Sequence, residues 1–458
     1  METDEAGHGH GIRNFFAHRL LDLSLATLIT MASTPRPAFA VCPAPTFSTG
    51  GSGIYSVAAS DLNRDGISDL AATNFYSNTV TVLLGYGNGS FTVLGSFSTG
   101  SGPRAVAVGD FNGDGRNDLA VANYNSGDVS ILLRDGEGTF APAVSYRAGT
   151  YPTAIAAGDF NRDNTSDLAV ANSFSDNVSI LLGNGDGTFA AAVNYAVGSV
   201  PYSLAVSDFN RDGKRDLVVA NVDSNTISIL LGNGDGTFAA AVNRESPAGP
   251  DSVTVGDFNG DGRSDLALAN WYANSVSIRL GNGDGTFSAS LSYTVGMNPT
   301  SVAVIDFNGD GKSDLAAANF NAHTISILLG NGSGGFAAAA TFSAGTQPSS
   351  LAIDDFNRDG SGDLAVANYT SASVTIFRQR LQQQRYVRLG RPVHGRIASQ
   401  VGCCRRPQRQ RDQRSGRDQF GIEQRLRPPR NRWRSVRCGV DLRHGFDTAR
   451  GRNRRLRP

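Results

Sequence analysis

Asp110-Phe111-Asn112-Gly113-Asp114-Gly115-Arg116-Asn117-Asp118-Leu119 is the stretch that decides how the rest of the chain is read. It recurs with starts at Asp61, Asp110, Asp159, Asp208, Asp257, Asp306 and Asp355, 49 residues apart at every step. A fixed period without insertions means one supersecondary unit copied seven times. Oxygen-bearing side chains occupy positions 1, 3, 5 and 9, and glycine follows position 5 in six of the seven copies. Alternate residues of a tight loop can aim their oxygens at one centre, with the position-7 carbonyl added. Calcium, a hard cation, takes six to eight such oxygens at about 2.3–2.6 Å, whereas magnesium demands a stricter octahedron and keeps its waters. Glycine at position 6 permits the sharp turn. A plain acidic turn is the alternative, because Asp, Asn and Gly are also turn formers. Seven copies in register weigh against it.

The expected calcium ligands are therefore Asp61, Asn63, Asp65 and Asp69 in the first copy, with the carbonyl of Ile67. The second supplies Asp110, Asn112, Asp114 and Asp118 with Arg116, and the third Asp159, Asn161, Asp163 and Asp167 with Thr165. The fourth supplies Asp208, Asn210, Asp212 and Asp216 with Lys214, and the fifth Asp257, Asn259, Asp261 and Asp265 with Arg263. The sixth supplies Asp306, Asn308, Asp310 and Asp314 with Lys312, and the seventh Asp355, Asn357, Asp359 and Asp363 with Ser361. Asn164 replaces the position-6 glycine in the third copy. Asn tolerates the left-handed conformation, so a weaker site is expected there rather than none.

An EF-hand loop begins in the same way but needs a bidentate Glu at position 12 and flanking helices. Here Ala105-Val106-Ala107-Val108 precedes the loop and Leu119-Ala120-Val121-Ala122 follows it. These short apolar, partly β-branched runs are strands. On these residues the unit resembles the FG-GAP/VCBS repeat, the calcium-loop blade of integrin α-subunit propellers and many bacterial extracellular proteins. The resemblance covers roughly Phe47 to Phe377.

Each repeat reads as four strands. In the second they are Ala105–Gly109, Leu119–Asn123, Val129–Leu133 and about Phe140–Tyr146, with a turn at Asp135-Gly136-Glu137-Gly138 before the last. Asn-Gly and Asp-Gly in the equivalent turns supply the positive φ that hairpins need. Four antiparallel strands of this length make one propeller blade. The expected fold is all-β, a seven-bladed β-propeller of four-stranded antiparallel blades. The seventh repeat lacks its fourth strand, while Thr46-Phe47-Ser48-Thr49-Gly50 matches the ends of fourth strands such as Ser96-Phe97-Ser98-Thr99-Gly100. The N-terminal strand is thus expected to complete the last blade and remove the open sheet edges.

The propeller is assigned to residues 41–377, between two segments of different character. Residues 1–40 read as an export signal: Arg13 and Arg19, an apolar run from Leu20 to Met31, then Ala38-Phe39-Ala40 as a cleavage pattern. A short membrane anchor and a lipoprotein modified at Cys42 are the alternatives. The chain has 41 Lys and Arg and 41 Asp and Glu. From Arg378 onward there are 24 Arg and 5 acidic residues, which leaves 17 basic against 36 acidic residues before it, a net of −19. The 378–458 tail reads as a disordered Arg-rich segment. It is either a basic arm for nucleic acid or membrane or, the favoured reading, repeat sequence translated in a shifted frame. Taken one frame over, with synonymous codons chosen, the repeat pattern returns, and its loop aspartates fall at the codons of Arg406 and Arg455, again 49 apart. On that reading Cys403, Cys404 and Cys438 form no disulfide framework, and nucleic acid is not a partner.

Blade topology puts the calcium loops and the Gly-rich hairpins on one face. The opposite face carries Asn-aromatic turns such as Asn123-Tyr124 and Asn270-Trp271-Tyr272. Aromatic and amide groups there suit protein or sugar contacts, and Tyr76, Tyr124, Trp271, Tyr272 and Tyr369 are the candidate ligand-binding residues. The competing reading buries the aromatics between blades and uses the Asn residues as turn caps. His323 is the single histidine of the propeller, and no catalytic triad or transition-metal set is recognisable. The expectation is a monomeric, secreted or cell-surface propeller with up to seven structural Ca²⁺ ions, which holds an extracellular protein or glycan without catalysis. A surface-layer spacer is the alternative, and a polysaccharide-active lyase or hydrolase a third reading.

Overall fold

The computed structural model describes residues 40–135 and 139–380. They form seven four-stranded antiparallel sheets arranged as consecutive blades. In the second blade the strands are Pro103–Gly109, Asp118–Asn123, Asp128–Leu132 and Val144–Arg147. The fourth strand is shorter than the Phe140–Tyr146 expected. Phe140 makes a single bridge to Arg134, and the chain bulges before it pairs again at Val144. The Ala141 N–H turns back to the carbonyl of Leu133 at 2.8 Å, and Pro142 has no N–H to give a ladder.

The seventh blade has the order 1-28-27-26 when strands are counted along the chain, so its outer strand comes from the N-terminus. That strand, Ala40–Ser48, runs antiparallel to Ser373–Arg380, with Phe47 opposite Val374 and Pro43 opposite Phe377. It begins at Ala40, the last residue of the expected leader, and carries Cys42. The rest of the leader and the tail from 381 lie outside the described residues. Among those described, no helix is long and apolar enough to cross a membrane.

The second strand of every blade is buried along its whole length. It is covered on both faces by neighbouring blades, which is why Asp118-Leu-Ala-Val-Ala-Asn123 and its copies read as continuous apolar runs. Seven apolar clusters result, one at each blade interface. Between the second and third blades, Phe111, Ala122 and Ile131 meet Leu168, Val170 and Phe189. Between the seventh and first, Phe356, Ala367 and Ile376 meet Leu70, Leu83 and Phe91. The ring therefore closes with the same packing that its interior interfaces use.

The asparagine ending each second strand is fully buried. Asn172 donates from its side chain to Asn177 and to Ser179 at 2.8 Å each, tying the second strand to the third. The amide fills the space over Gly149, where a Cβ would lie 2.5 Å from the Asn172 side chain. These amides are thus internal clamps and do not line a contact surface, which settles the two readings of the asparagines in favour of the structural one.

Candidate functional site

The acidic loop joins the first and second strands of each blade and is closed by its own backbone. In the second blade the Asp110 carboxylate accepts the N–H groups of Gly113 and Gly115 at 2.8 Å and of Asp114 at 3.2 Å. Asn112 accepts the Asp114 N–H, and Asp114 accepts the Arg116 N–H at 2.8 Å. In the third loop Asn164 adopts φ 66° and its N–H reaches Asp159, the bond that Gly115 makes in the second. At position 7 a basic side chain pairs with the position-5 carboxylate in four loops: Arg116–Asp114 at 3.0 Å, Lys214–Asp212 at 3.2 Å, and Arg263–Asp261 and Lys312–Asp310 at 3.5 Å. The first, third and seventh loops carry Ile67, Thr165 and Ser361 there.

Position 9 behaves differently. Asp118 is fully buried, and its two oxygens accept the N–H groups of Phe111 at 3.0 Å and Arg134 at 2.7 Å. It therefore clamps the acidic loop to the hairpin between the third and fourth strands. Burial, with Asp114 and Asp110 adding their charges, pushes the Asp118 carboxyl up to about 6. The same causes raise Asp69 and Asp314 to about 6 and Asp363 to about 7. In the seventh blade the Gln379 N–H makes the Arg134-type bond to Asp363, while the side-chain amide of Asn357 donates in place of the Phe111-type N–H.

Loop and hairpin also bind across blades, as their shared face requires. The Gly187 N–H of the third blade reaches the carbonyl of Phe111 in the second at 2.9 Å. Gly236 to Phe160, Gly285 to Phe209 and Gly334 to Phe258 repeat the bond, and Gly89 to Phe356 makes it across the closure at 2.8 Å.

Among the described residues no three or more His, Cys, Asp or Glu side chains gather into a metal-ligating group. Each loop carboxylate is turned onto backbone N–H groups instead. The donor chemistry nevertheless fits a hard cation: three carboxylates, an amide oxygen and a carbonyl, with mutual repulsion already felt at position 9.

The opposite face surrounds the mouth of the central channel. A chain of ring contacts crosses it, from Phe174 through Tyr151, Tyr124, Phe75, Tyr55, Tyr369 and Phe320 to Trp271. Tyr124 stacks on Tyr151 at 4.5 Å with 9° between planes, and the Tyr76 hydroxyl meets that of Tyr369 at 2.6 Å. Tyr124, Trp271 and Tyr369 are half-buried within this network. Tyr76, Phe174 and Tyr272 stand out from it, 65 %, 73 % and 60 % exposed. Burial between blades and display to solvent thus divide the aromatics residue by residue.

Sequence reasoning missed what lies inside the mouth, a cavity of 500 Å³. The residue after the first-strand proline, and its counterpart Tyr55, forms a ring around it: Tyr55, Arg104, Thr153, Tyr202, Asp251, Thr300 and Ser349. Thr153, Thr300 and Ser349 donate their hydroxyls to a backbone carbonyl of the next blade, at Pro201, Pro348 and Ile54. The Arg104 guanidinium instead sits over Tyr202 at 4.5 Å, Tyr55 at 4.8 Å and Tyr124 at 5.3 Å.

Asp251 lines the channel cavity, and burial pushes its carboxyl up to about 7, opposed only by Arg104. Its folded pKa lies above the unfolded value, so the stability it contributes is present below about 4 and lost as pH rises through about 7. Asp251→Asn is therefore expected to raise the melting temperature at pH 8, by an amount equivalent to about 2–4 kcal/mol, and to change little at pH 4. Melting curves across that range check the sign.

Seven four-stranded blades, each with one self-bonded acidic loop at a 49-residue period, define a repeat propeller. A sequence profile described as the FG-GAP-like repeat matches residues 61–121, 110–170, 159–219, 208–268, 257–317 and 306–366. The chain belongs to the FG-GAP-like repeat family. No curated protein matches it. Among solved structures it is similar to BBS1N in complex with ARL6DN, with 16% identity over 75% of this chain and 98% of that one, at a TM-score of 0.54. A putative 6-phosphogluconolactonase from Bacteroides fragilis gives 15% identity, 69% and 97% coverage and a TM-score of 0.53. The periplasmic gluconolactonase of Pseudomonas aeruginosa gives 16%, 68%, 97% and 0.53. At such identities the likeness is one of fold.

Proposed function

We propose that the chain is a secreted or cell-surface propeller that binds calcium and acts as a non-catalytic adhesion or ligand-binding module for an extracellular protein or glycan. One observation carries this reading: the two faces are built differently. The acidic-loop face uses its polar groups to fix loops within blades, through Asp118-type clamps, and to join neighbouring blades, through Gly187-type bonds. The opposite face leaves Tyr76, Phe174 and Tyr272 exposed beside a channel. Exposed apolar patches of this kind mark interaction sites, and these residues differ from blade to blade where the frame does not. The calcium ions would be held by positions 1, 3, 5 and 9 and the position-7 carbonyl, and would neutralise the carboxylates. Sites in extracellular modules typically have affinities of about 10⁻⁴–10⁻³ M, which matches an exported protein.

The test is binding of the full chain, in calcium, to a glycan array and a panel of extracellular matrix proteins. Trp271→Ala and Tyr272→Ala are expected to weaken any hit about tenfold or more. Tyr272→Ala is expected to leave the melting temperature unchanged, since its ring is exposed. Retention of binding by both variants would contradict the assignment of this face, and no binding in any arm would favour a spacer.

A further inference from the structure

We infer that the mouth of the central channel is a binding site for a small zwitterion of the α-amino-acid type, with the carboxylate at Arg104 and the ammonium at Asp251. The inference goes beyond the macromolecular contact proposed above and does not depend on it. It starts from the ring of residues that follows the first-strand proline. The strand frame behind that ring repeats; the ring itself does not. Three of its members close the blades with hydroxyl bonds, as described. The other four, Tyr55, Arg104, Tyr202 and Asp251, serve no such repeat bond.

Arg104 is held by its faces, between the rings of Tyr55 and Tyr202. Among the described residues its N–H edges have no hydrogen-bond or ion-pair partner. A guanidinium fixed by stacking with its edges open is arranged for a planar, bidentate anion, for which a carboxylate is the natural fit. Asp251 likewise has no hydrogen-bond or ion-pair partner among the described residues, although it feels the charge of Arg104. The two do not approach within ion-pair distance of each other, so they leave room between them. Asp223, exposed at the rim of the same cavity, adds a second carboxylate on the side of the blade that carries Tyr202.

Half-desolvated charges without partners are costly. A ligand bringing one anion and one cation to the same cavity supplies both missing partners and keeps the site near neutral. An ammonium would also offset the burial that pushes the Asp251 carboxyl up to about 7. The remaining wall is mostly Ser and Thr, with one aromatic stretch in which Trp271 and Phe320 pack at 5.7 Å. That stretch suits an apolar side chain on the bound molecule. The volume of 500 Å³ falls within the ordinary range for small-molecule pockets.

The experiment is calorimetric titration of the full chain with L-phenylalanine, N-acetyl-L-phenylalanine and L-phenylalaninamide, repeated with Arg104→Gln and Asp251→Asn. L-Phenylalanine is expected to bind, and blocking either charge should weaken binding at least about tenfold. Arg104→Gln should erase the difference between the acid and the amide. Asp251→Asn should erase the difference between the free and the acetylated amine. Melting curves keep the test sound if a variant is poorly folded, since Asp251→Asn is expected to be the more stable protein at pH 8. No binding of L-phenylalanine up to about 10 mM, or equal binding of the blocked forms, would overturn the inference.

Discussion

Deleting residues 40–48 is expected to lower the melting temperature by more than about 10 °C, or to convert the protein into soluble aggregates. The segment supplies the outer strand of the seventh blade and its whole pairing with Ser373–Arg380. It also supplies Phe47, whose ring meets Phe91 at 5.4 Å; Phe91 in turn meets Phe356 at 5.6 Å across the closure. Just beyond it, buried Thr49 donates to the side chain of Asn74 in the first blade at 2.9 Å. Removal leaves a three-stranded blade with a bare edge, which is a template for intermolecular pairing. Phe47→Ala is the graded version and should cost about 2–3 kcal/mol. Thermal melting with light scattering checks both, against a control lacking only residues 1–39. An unchanged melt for the 40–48 deletion would mean that the ring does not depend on this strand.

The second large effect separates the two kinds of acidic residue. Asp118→Ala removes both acceptors from the buried N–H groups of Phe111 and Arg134. Each orphaned donor costs about 1–3 kcal/mol, so the loss should be about 3–5 kcal/mol. Most of it should persist in EDTA, because the clamp is a protein–protein bond, with a further loss in calcium from the missing position-9 oxygen. Asp114 is solvent-facing, and water can replace its bonds to Arg116. Asp114→Ala should therefore cost within about 0.5 kcal/mol in EDTA and lower the melting temperature clearly only in calcium, through loss of the proposed ligand. Denaturant unfolding of both variants in both conditions makes the comparison. A calcium-dependent loss for Asp118→Ala alone would reverse the roles assigned here.

The architecture was legible because period and alternation coincide. The 49-residue spacing fixes the number of blades, and the apolar runs on both sides of each loop fix strands rather than helices. Even the closure could be read, since Thr46–Gly50 copies the end of a fourth strand. The asparagines were harder. Their position beside aromatic residues looked like a contact surface, yet the signal for burial was present: a Ser or Thr seven residues later in every repeat, from Thr81 to Thr375, is the partner of the amide. The channel site was not legible because its members lie 49 residues or more apart and converge only when the ring closes. The trace it leaves is variation: Tyr, Arg, Thr, Tyr, Asp, Thr and Ser at one position of an otherwise uniform frame. The shape of the fourth strand was hidden for a different reason, since a bulge after a single bridge has no composition of its own beyond small residues.

The claim beneath the functional reading is that the seven acidic loops are ion sites. Equilibrium dialysis of the full chain against calcium, with melting curves recorded in calcium and in EDTA, addresses it most directly. The expected result is binding of up to seven ions per chain, one for each loop, saturating in the millimolar range or below, with a melting temperature several degrees higher in calcium. No bound calcium at millimolar concentration, together with superimposable melts, would contradict it.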